Sequence, residues 1–426
     1  MLTCPSEVFA EAGLPGEKCR MKKWLNHVHI RCPRAVGSVI IATSGALGCQ
    51  PAPVPQSSPV VMDSGEIRIV YNVSMRAVAE AWSLDPLPNY VVGGSRNGQS
   101  LELDSRVPHA VVQLDNGRVV VSDGARLLVL SDDGQLVRLV GREGSGPGDF
   151  RQIRTLCHTR GDTVALGDEG NRRIVLLDAG GQVVRTIPED YGSPFTDACF
   201  SDGTFLVQAF RVDQREGKYP AVEVTRLRLD GTEAKHLGNL SFEGVDFLQY
   251  HGEIVSARGQ RLVVSEAKAS EVRSFGPEGD TRTIVRTADT PKAISRREVR
   301  ALIQATIPTN VSPDEVRVRM ARSESRPHRS TRPAFERCML DDMGGTWLLQ
   351  VRETAGAPES WVHFDSSGQM TGRLTLGAGR RRLRAMRFGR GNIWLQSRDD
   401  DGVVTIASYR LGRIGQPDPP GRRVAR

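Results

Sequence analysis

Long helical periods are missing from this 426-residue chain, and with them the doubly wound α/β architectures that alternate helix with parallel strand. Aromatic residues are few, at 5%, and none interleave with a continuous basic stripe, so the formal net charge of +7 does not describe a nucleic-acid groove. Residues 1–48 hold six Lys or Arg and three Glu, and without them the charge falls to +4. Seven cysteines are present but form no paired CxxC knuckle. No Gly-x-Ser-x-Gly elbow occurs, which removes the α/β-hydrolase type of nucleophile. The glycine cluster Gly144-Ser145-Gly146-Pro147-Gly148 fails as a phosphate cradle: no Lys-Ser/Thr follows, Pro147 withholds an N–H, and no helix pattern begins after it.

What is present is recurrence. Six times a Val- or Leu-rich run stops at a polar Gly turn and a second run begins, at Asn116-Gly117, Gly161-Asp162, Asp202-Gly203, Gly259-Gln260, Gly344-Gly345 and Arg390-Gly391. The clearest copy reads Ala110–Leu114, Arg118–Ser122, Arg126–Leu130 and Gln135–Val140, with a second turn at Asp132-Asp133-Gly134: four antiparallel strands in about forty residues, one propeller blade. The next copy gives Thr163–Leu166, Arg173–Leu177 and Gln182–Ile187. Second turns recur at Gly134, Gly181, Gly231, Gly279 and Gly368, so one outer hairpin is missing. The last repeat, Ile393–Gln396 then Val403–Ala407, runs out before a fourth strand, while Glu66–Tyr71 is an orphan strand. The expectation is an all-β, six-bladed propeller over residues 65–412, its last blade closed by Glu66–Tyr71.

The N-terminal segment reads as an export signal over residues 1–48, with translation expected from Met21-Lys22-Lys23. Its apolar stretch, Ala35–Leu47, is too short to span a bilayer comfortably. Ala46-Leu47-Gly48-Cys49 resembles the lipobox of bacterial lipoproteins, which implies acylation of Cys49. A Pro- and Ser-rich tether is expected over 49–64 and a disordered tail over 413–426. With the signal removed and Cys49 lipidated, Cys157, Cys199 and Cys338 remain, and the first two read as small buried apolar side chains on first strands.

The run Leu166-Gly167-Asp168-Glu169-Gly170-Asn171-Arg172-Arg173-Ile174-Val175-Leu176-Leu177-Asp178 resembles the NHL repeat. Gly141–Phe150 likewise resembles the inter-blade loop of bacterial six-bladed propeller lipoproteins related to NHL domains. Amidating lyases of this kind hold zinc by channel histidines, and lactonase-type propellers hold calcium by Glu, Asn and Asp at the channel mouth. By that analogy His109, His158 and His251, all assigned to first strands, are the candidate zinc ligands. Asp197 and Glu336 lie near the depth of a calcium site, without an Asn partner. Gln208, Gln350 and Gln396 each follow a turn Gly by five residues and read as a polar ring or as amides that satisfy backbone groups between blades.

Between the fourth and fifth turns the pattern becomes helical, an insert at about 290–335. Ser295-Arg296-Arg297-Glu298 is a capping box, and Ser312-Pro313-Asp314-Glu315 starts a second helix. Arg296, Arg297, Arg300, Arg317 and Arg319 form either a basic patch for an anionic partner or a solvated polar face. Together these features imply a monomeric lipoprotein of the cell envelope, held to the membrane by its lipid alone, on the periplasmic side or at the outer surface. It is expected to act as a binding or scaffolding module for a protein or polysaccharide, with no cofactor. The alternative is a calcium- or zinc-dependent hydrolase, lactonase or lyase with its site at the channel mouth.

Overall fold

Valine-rich and leucine-rich runs in this chain become the middle strands of four-stranded meanders. The computed structural model describes residues 58–415 apart from short segments, the longest being 212–220, 242–254 and 325–333. The expected signal, Cys49, most of the tether and His251 lie outside the described residues.

The N-terminal part contributes β1 (Val60–Ser64), β2 (Ile67–Asn72), β3 (Trp82–Leu84), β4 (Tyr90–Val92), β5 (Gly94–Arg96) and β6 (Gln99–Leu101). The first meander is β7 (Val111–Gln113), β8 (Val119–Asp123), β9 (Arg126–Leu130) and β10 (Leu136–Val140). The second is β11 (Ile153–His158), β12 (Val164–Asp168), β13 (Arg173–Leu177) and β14 (Val183–Pro188). The third is β15 (Ser193–Cys199), β16 (Phe205–Arg211), β17 (Ala221–Leu227) and β18 (Glu233–Ser241). The fourth is β19 (Val255–Arg258), β20 (Arg261–Glu266), β21 (Glu271–Phe275) and β22 (Thr281–Thr287). Helices α1 (Arg296–Thr306) and α2 (Pro313–Glu324) follow. Then come β23 (Phe335–Leu340), β24 (Thr346–Gln350), β25 (Ser360–Phe364) and β26 (Met370–Thr375), and finally β27 (Arg382–Phe388), β28 (Asn392–Arg398) and β29 (Val404–Arg413).

Among the described residues, hydrogen bonding gives four discrete blades, one fused ten-stranded sheet and the small hairpin β5–β6, not six separate blades. The first, second and fifth meanders are isolated four-stranded sheets, and β27–β29 form a sheet with β3 and β4. The third and fourth meanders merge through a single parallel pair, Ala198 with Ala257, into a ten-stranded sheet that β1 and β2 extend. Middle strands are buried because a neighbouring sheet covers each face: all five residues of β8 and of β12 are buried, whereas β10 and β14 are exposed along most of their length. The core is accordingly a series of seams. One joins Val112, Leu127 and Val129 to Leu156, Leu166 and Val175, and another joins Trp394 and Ile406 of the last sheet to Val119 and Leu128 of the first. This sequential packing with return to the first sheet is a β-propeller arrangement.

The closing strand differs from expectation. Ile67–Asn72 is a strand, but it runs parallel to β22 from Arg68 opposite Thr283 to Asn72 opposite Thr287. β3 and β4 complete the last sheet, both on β29, with Trp82, Ser83 and Leu84 opposite Arg413, Gly412 and Leu411, and Tyr90, Val91 and Val92 opposite Ser408, Ala407 and Ile406. Three residues are too few to show a period, which is why the longer β2 drew the assignment. Gly93 ends β4 at φ +88°, and a Cβ there would meet the Val404 carbonyl oxygen at 2.5 Å, so glycine is needed for the close approach. The tether is also shorter than expected, because Val60–Ser64 pairs with β2 as a hairpin.

Cys157 and Cys199 are disulfide-bonded, not isolated apolar fillers, with Cα atoms 5.7 Å apart. They stand at or next to the ends of neighbouring first strands, β11 and β15, and both are buried. Cys338 is free and buried.

The helices pack on each other through Val299, Ile303 and Met320, with Ser295 and Glu298 forming the reciprocal cap of α1. Among the described residues no helix is long and apolar enough to cross a membrane.

Candidate functional site

The hairpins between first and second strands come together at one end of the arrangement. The Asp115 N–H donates to Asp162 Oδ1 at 2.7 Å, linking the first hairpin to the second. Ser201 N–H donates to the Gly259 carbonyl at 2.8 Å, linking the third to the fourth. Arg258 donates to the carbonyls of Leu340 and Phe388 at 3.3 and 2.7 Å and pairs with Asp342 at 3.0 Å, reaching the fifth and sixth hairpins.

Within this end lie Asp115, His158 and Asp162, whose ligand atoms all fall within 4.8 Å of one another. Among the described residues they are the one such group of three His, Cys, Asp or Glu. His158 is the last residue of β11, and its Nε2 lies 3.4 Å from Asp162 Oδ1 and 3.9 Å from Asp115 Oδ2. That nitrogen is buried and makes no hydrogen bond. Burial holds the His158 imidazole below the ordinary histidine pKa; Asp115 and Asp162 pull upward, and Arg387 and Arg258 reinforce burial.

His109 is placed elsewhere. It precedes β7, whereas His158 ends β11, so the two sit toward opposite ends of neighbouring first strands. Both His109 ring nitrogens are engaged, Nε2 with Asp123 Oδ1 at 3.2 Å and Nδ1 with Gln396 Nε2 at 3.3 Å. His109 therefore clasps the last sheet to the first, and the expected trio of imidazoles is not assembled by the described residues. Asp123 also accepts from Arg126 and the Asp104 N–H. Burial would raise its pKa, but the bonds from His109, Arg126 and Asp104 outweigh that and hold it below the usual carboxylate range.

Gln396 thus satisfies a neighbouring side chain across a seam, and Gln350 accepts from Ser360 within its own sheet. The side chains of Gln208 and Asp197 lie outside the described residues, and Glu336 is half-buried on β23.

The glycine cluster is occupied from within. Asp168, fully buried, accepts from the N–H groups of Arg151 and Gln152 and from the side chains of Asn171 and Arg173. Asn171 in turn donates to the Gly144 carbonyl, and Arg173 to those of Ser145, Gly146 and Asp149. Carbonyls converging on a guanidinium are the electrostatic inverse of a phosphate cradle, which presents N–H groups. The Asp-Asn-Arg pattern, read as a repeat signature, is physically a clamp on the inter-blade loop.

In the insert, Arg317 pairs with Asp314, Arg319 with Glu315 at 2.6 Å and Arg300 with Glu324 at 3.3 Å, while Arg296 and Arg297 are exposed. Most of the expected basic patch is therefore met by acids of the same two helices.

No family model matches the chain, and no curated protein matches it. Solved structures do. A protein of Bacteroides fragilis described as exported is 10% identical, with 82% of this chain and 99% of that one covered at a TM-score of 0.52. A gluconolactonase from Xanthomonas campestris is 14% identical over 83% and 95%, at a TM-score of 0.42. A virginiamycin B lyase from Staphylococcus aureus is 12% identical over 77% and 88%, at 0.35. Identities this low speak to fold alone, and only the first overlay is close enough to carry weight. The fold itself, seen in the sheet order and the seams between sheets, is a β-propeller.

Proposed function

We propose that this propeller is exported, anchored to the cell envelope through lipidated Cys49, and serves as a binding module for a protein partner. We further propose that its meanders count as six blades of an NHL-related ring. Six hydrophobic seams between successive meanders, the last returning to the first, support that count. The Asp168-Asn171-Arg173 clamp supports the relation. Export is supported by the Cys157–Cys199 disulfide, which suits an oxidising compartment.

The observation that carries the binding reading is the outer rim of the first two blades. Leu136, Val137 and Leu139 of β10 are 44%, 51% and 48% exposed, and Val184 of β14 is 64% exposed. Arg138 of β10 donates to the carbonyl of Gly180, in the turn that leads into β14, and so links the two outer strands. Aliphatic side chains in open water, rimmed by arginine, suit a protein surface; they offer no hydrogen bonds to sugar hydroxyls.

Photo-crosslinking side chains placed in cells at Val137 and Val184 test this reading, with Val318, exposed on α2, as control. Protein adducts at the two rim positions and none at Val318 are expected. Adducts at all three, or at none, would refute it. Fractionation of a Cys49→Ser variant tests the anchor, which is expected to be lost.

A further inference from the structure

Asp115 and Asp162 come from the hairpins of the first and second meanders, and His158 from the end of the strand between them. Their meeting is fixed by the backbone: the Asp115 N–H binds Asp162 Oδ1, so neither hairpin can shift without breaking that bond. Two carboxylates and an imidazole nitrogen then face one another. His158 Nε2 is buried and makes no hydrogen bond, with carboxylate oxygens of Asp162 and Asp115 at 3.4 and 3.9 Å. Buried polar atoms are nearly always satisfied, and a cation set between this nitrogen and the two carboxylates would satisfy it.

The spacing selects the cation. Tetrahedral zinc with N and O ligands at about 2.0–2.2 Å sets neighbouring ligand atoms about 3.4 Å apart. The His158–Asp162 separation is 3.4 Å, and the 3.9 Å to exposed Asp115 closes by a small side-chain rotation. Calcium takes six to eight oxygen ligands at longer range, and an imidazole is a poor choice for it. Arg387 and Arg258 place positive potential on His158, offset at Arg258 by Asp342 and two carbonyls and at the site by the two carboxylates of Asp115 and Asp162.

We propose that Asp115, His158 and Asp162 form a zinc site bridging the first and second inner hairpins, with its fourth position open toward solvent. Three protein ligands and one open position is the arrangement of zinc sites that exchange a water or bind a ligand group. The site does not depend on the rim reading, which uses other residues.

The test is calorimetric titration of zinc into the purified full chain after chelator treatment, with calcium titrated in parallel. One equivalent of zinc is expected, bound at least tenfold more tightly than calcium. His158→Ala and Asp162→Asn should each weaken zinc at least tenfold; Asn tolerates the left-handed backbone at 162, where φ is +55°. Asp115→Asn, on an exposed side chain that folding does not need, should weaken it similarly. His236→Ala, in half-exposed β18, should not. Absence of stoichiometric zinc binding overturns the proposal, as does binding unchanged in all three ligand variants or calcium held more tightly than zinc.

Discussion

Replacing both Cys157 and Cys199 with Ala isolates the contribution of the bridge between the second and third blades. The two residues are 42 apart in sequence, and closing a loop of that length removes enough denatured-chain entropy to stabilise the fold by about 4 kcal/mol. For a domain spanning 58–415, an unfolding entropy of about 2.1 cal/mol/K per residue converts this into a Tm lower by about 5 °C. Alanine avoids burying the hydroxyl that Ser would introduce at two closed positions. Calorimetric scans of both proteins, with and without reductant, give the readout. Wild type should lose about 5 °C on reduction, and the double variant should not respond. The reasoning is refuted if alkylation of denatured, unreduced wild type labels the peptides carrying Cys157 and Cys199 as fully as that carrying Cys338. It is equally refuted if reduction leaves the wild-type Tm unchanged.

Two further outcomes follow from closure and from buried carboxylates. Deleting residues through Asn72 removes two strands from the edge of the ten-stranded sheet, with the bonds of Asn72 to Gly368 and Met370, and should lower the Tm yet leave one cooperative unfolding transition; deleting through Val92 also removes β3 and β4 and should abolish it, as scanning calorimetry would show. Asp341 accepts from Trp347 Nε1 at 2.9 Å, the Gly345 N–H at 2.7 Å and His363 at 3.2 Å. Burial pushes its pKa up, but these partners prevail and hold it below the usual aspartate value. A native pKa below the unfolded one, which is about 3.9, contributes stability above about pH 5 that is lost as pH falls through the unfolded and then the native value. Asp341→Asn should be less stable than wild type at pH 7 and show a shallower decline between pH 5 and 3; equal slopes in urea titrations would contradict this.

Repetition made the fold legible. Each hairpin needs a residue at positive φ, as at Gly117, Gly161, Gly203 and Gly344, and each middle strand carries a short aliphatic run because both faces are covered. The helical insert was legible for the same kind of reason, a capping box being a local hydrogen-bond pattern written in adjacent residues. The closing strand was not, since Tyr90–Val92 has no period of its own and is defined by its partner β29. The disulfide did leave a signal: Cys157 and Cys199 each stand four residues before a turn Gly, the same height on neighbouring first strands. Equal register in adjacent blades is a distance statement, and His109 and His158 fail by that standard, standing eight and three residues before theirs. Asp115 and Asp162 were hidden because turn aspartates ordinarily serve their own backbone.

Most charged groups in the seams hold neighbouring sheets in place. Asp123 ties β7 and β8 to the segment before them and, through His109 and Gln396, to the last sheet. Asp168 and Arg173 bind the loop between the first two blades, and Asn72 reaches Gly368 and Met370 across another seam. Sheets packed face to face through aliphatic side chains are free to slide, because dispersion and burial are non-directional. Directional bonds to buried charges fix the height of each sheet against the next, and such groups cost several kcal/mol if stripped of their partners. A polar residue in a seam is therefore weak evidence of chemistry unless one of its atoms is left over. His158 Nε2 is such an atom, at the end of β11 beside the exposed carboxylate of Asp115.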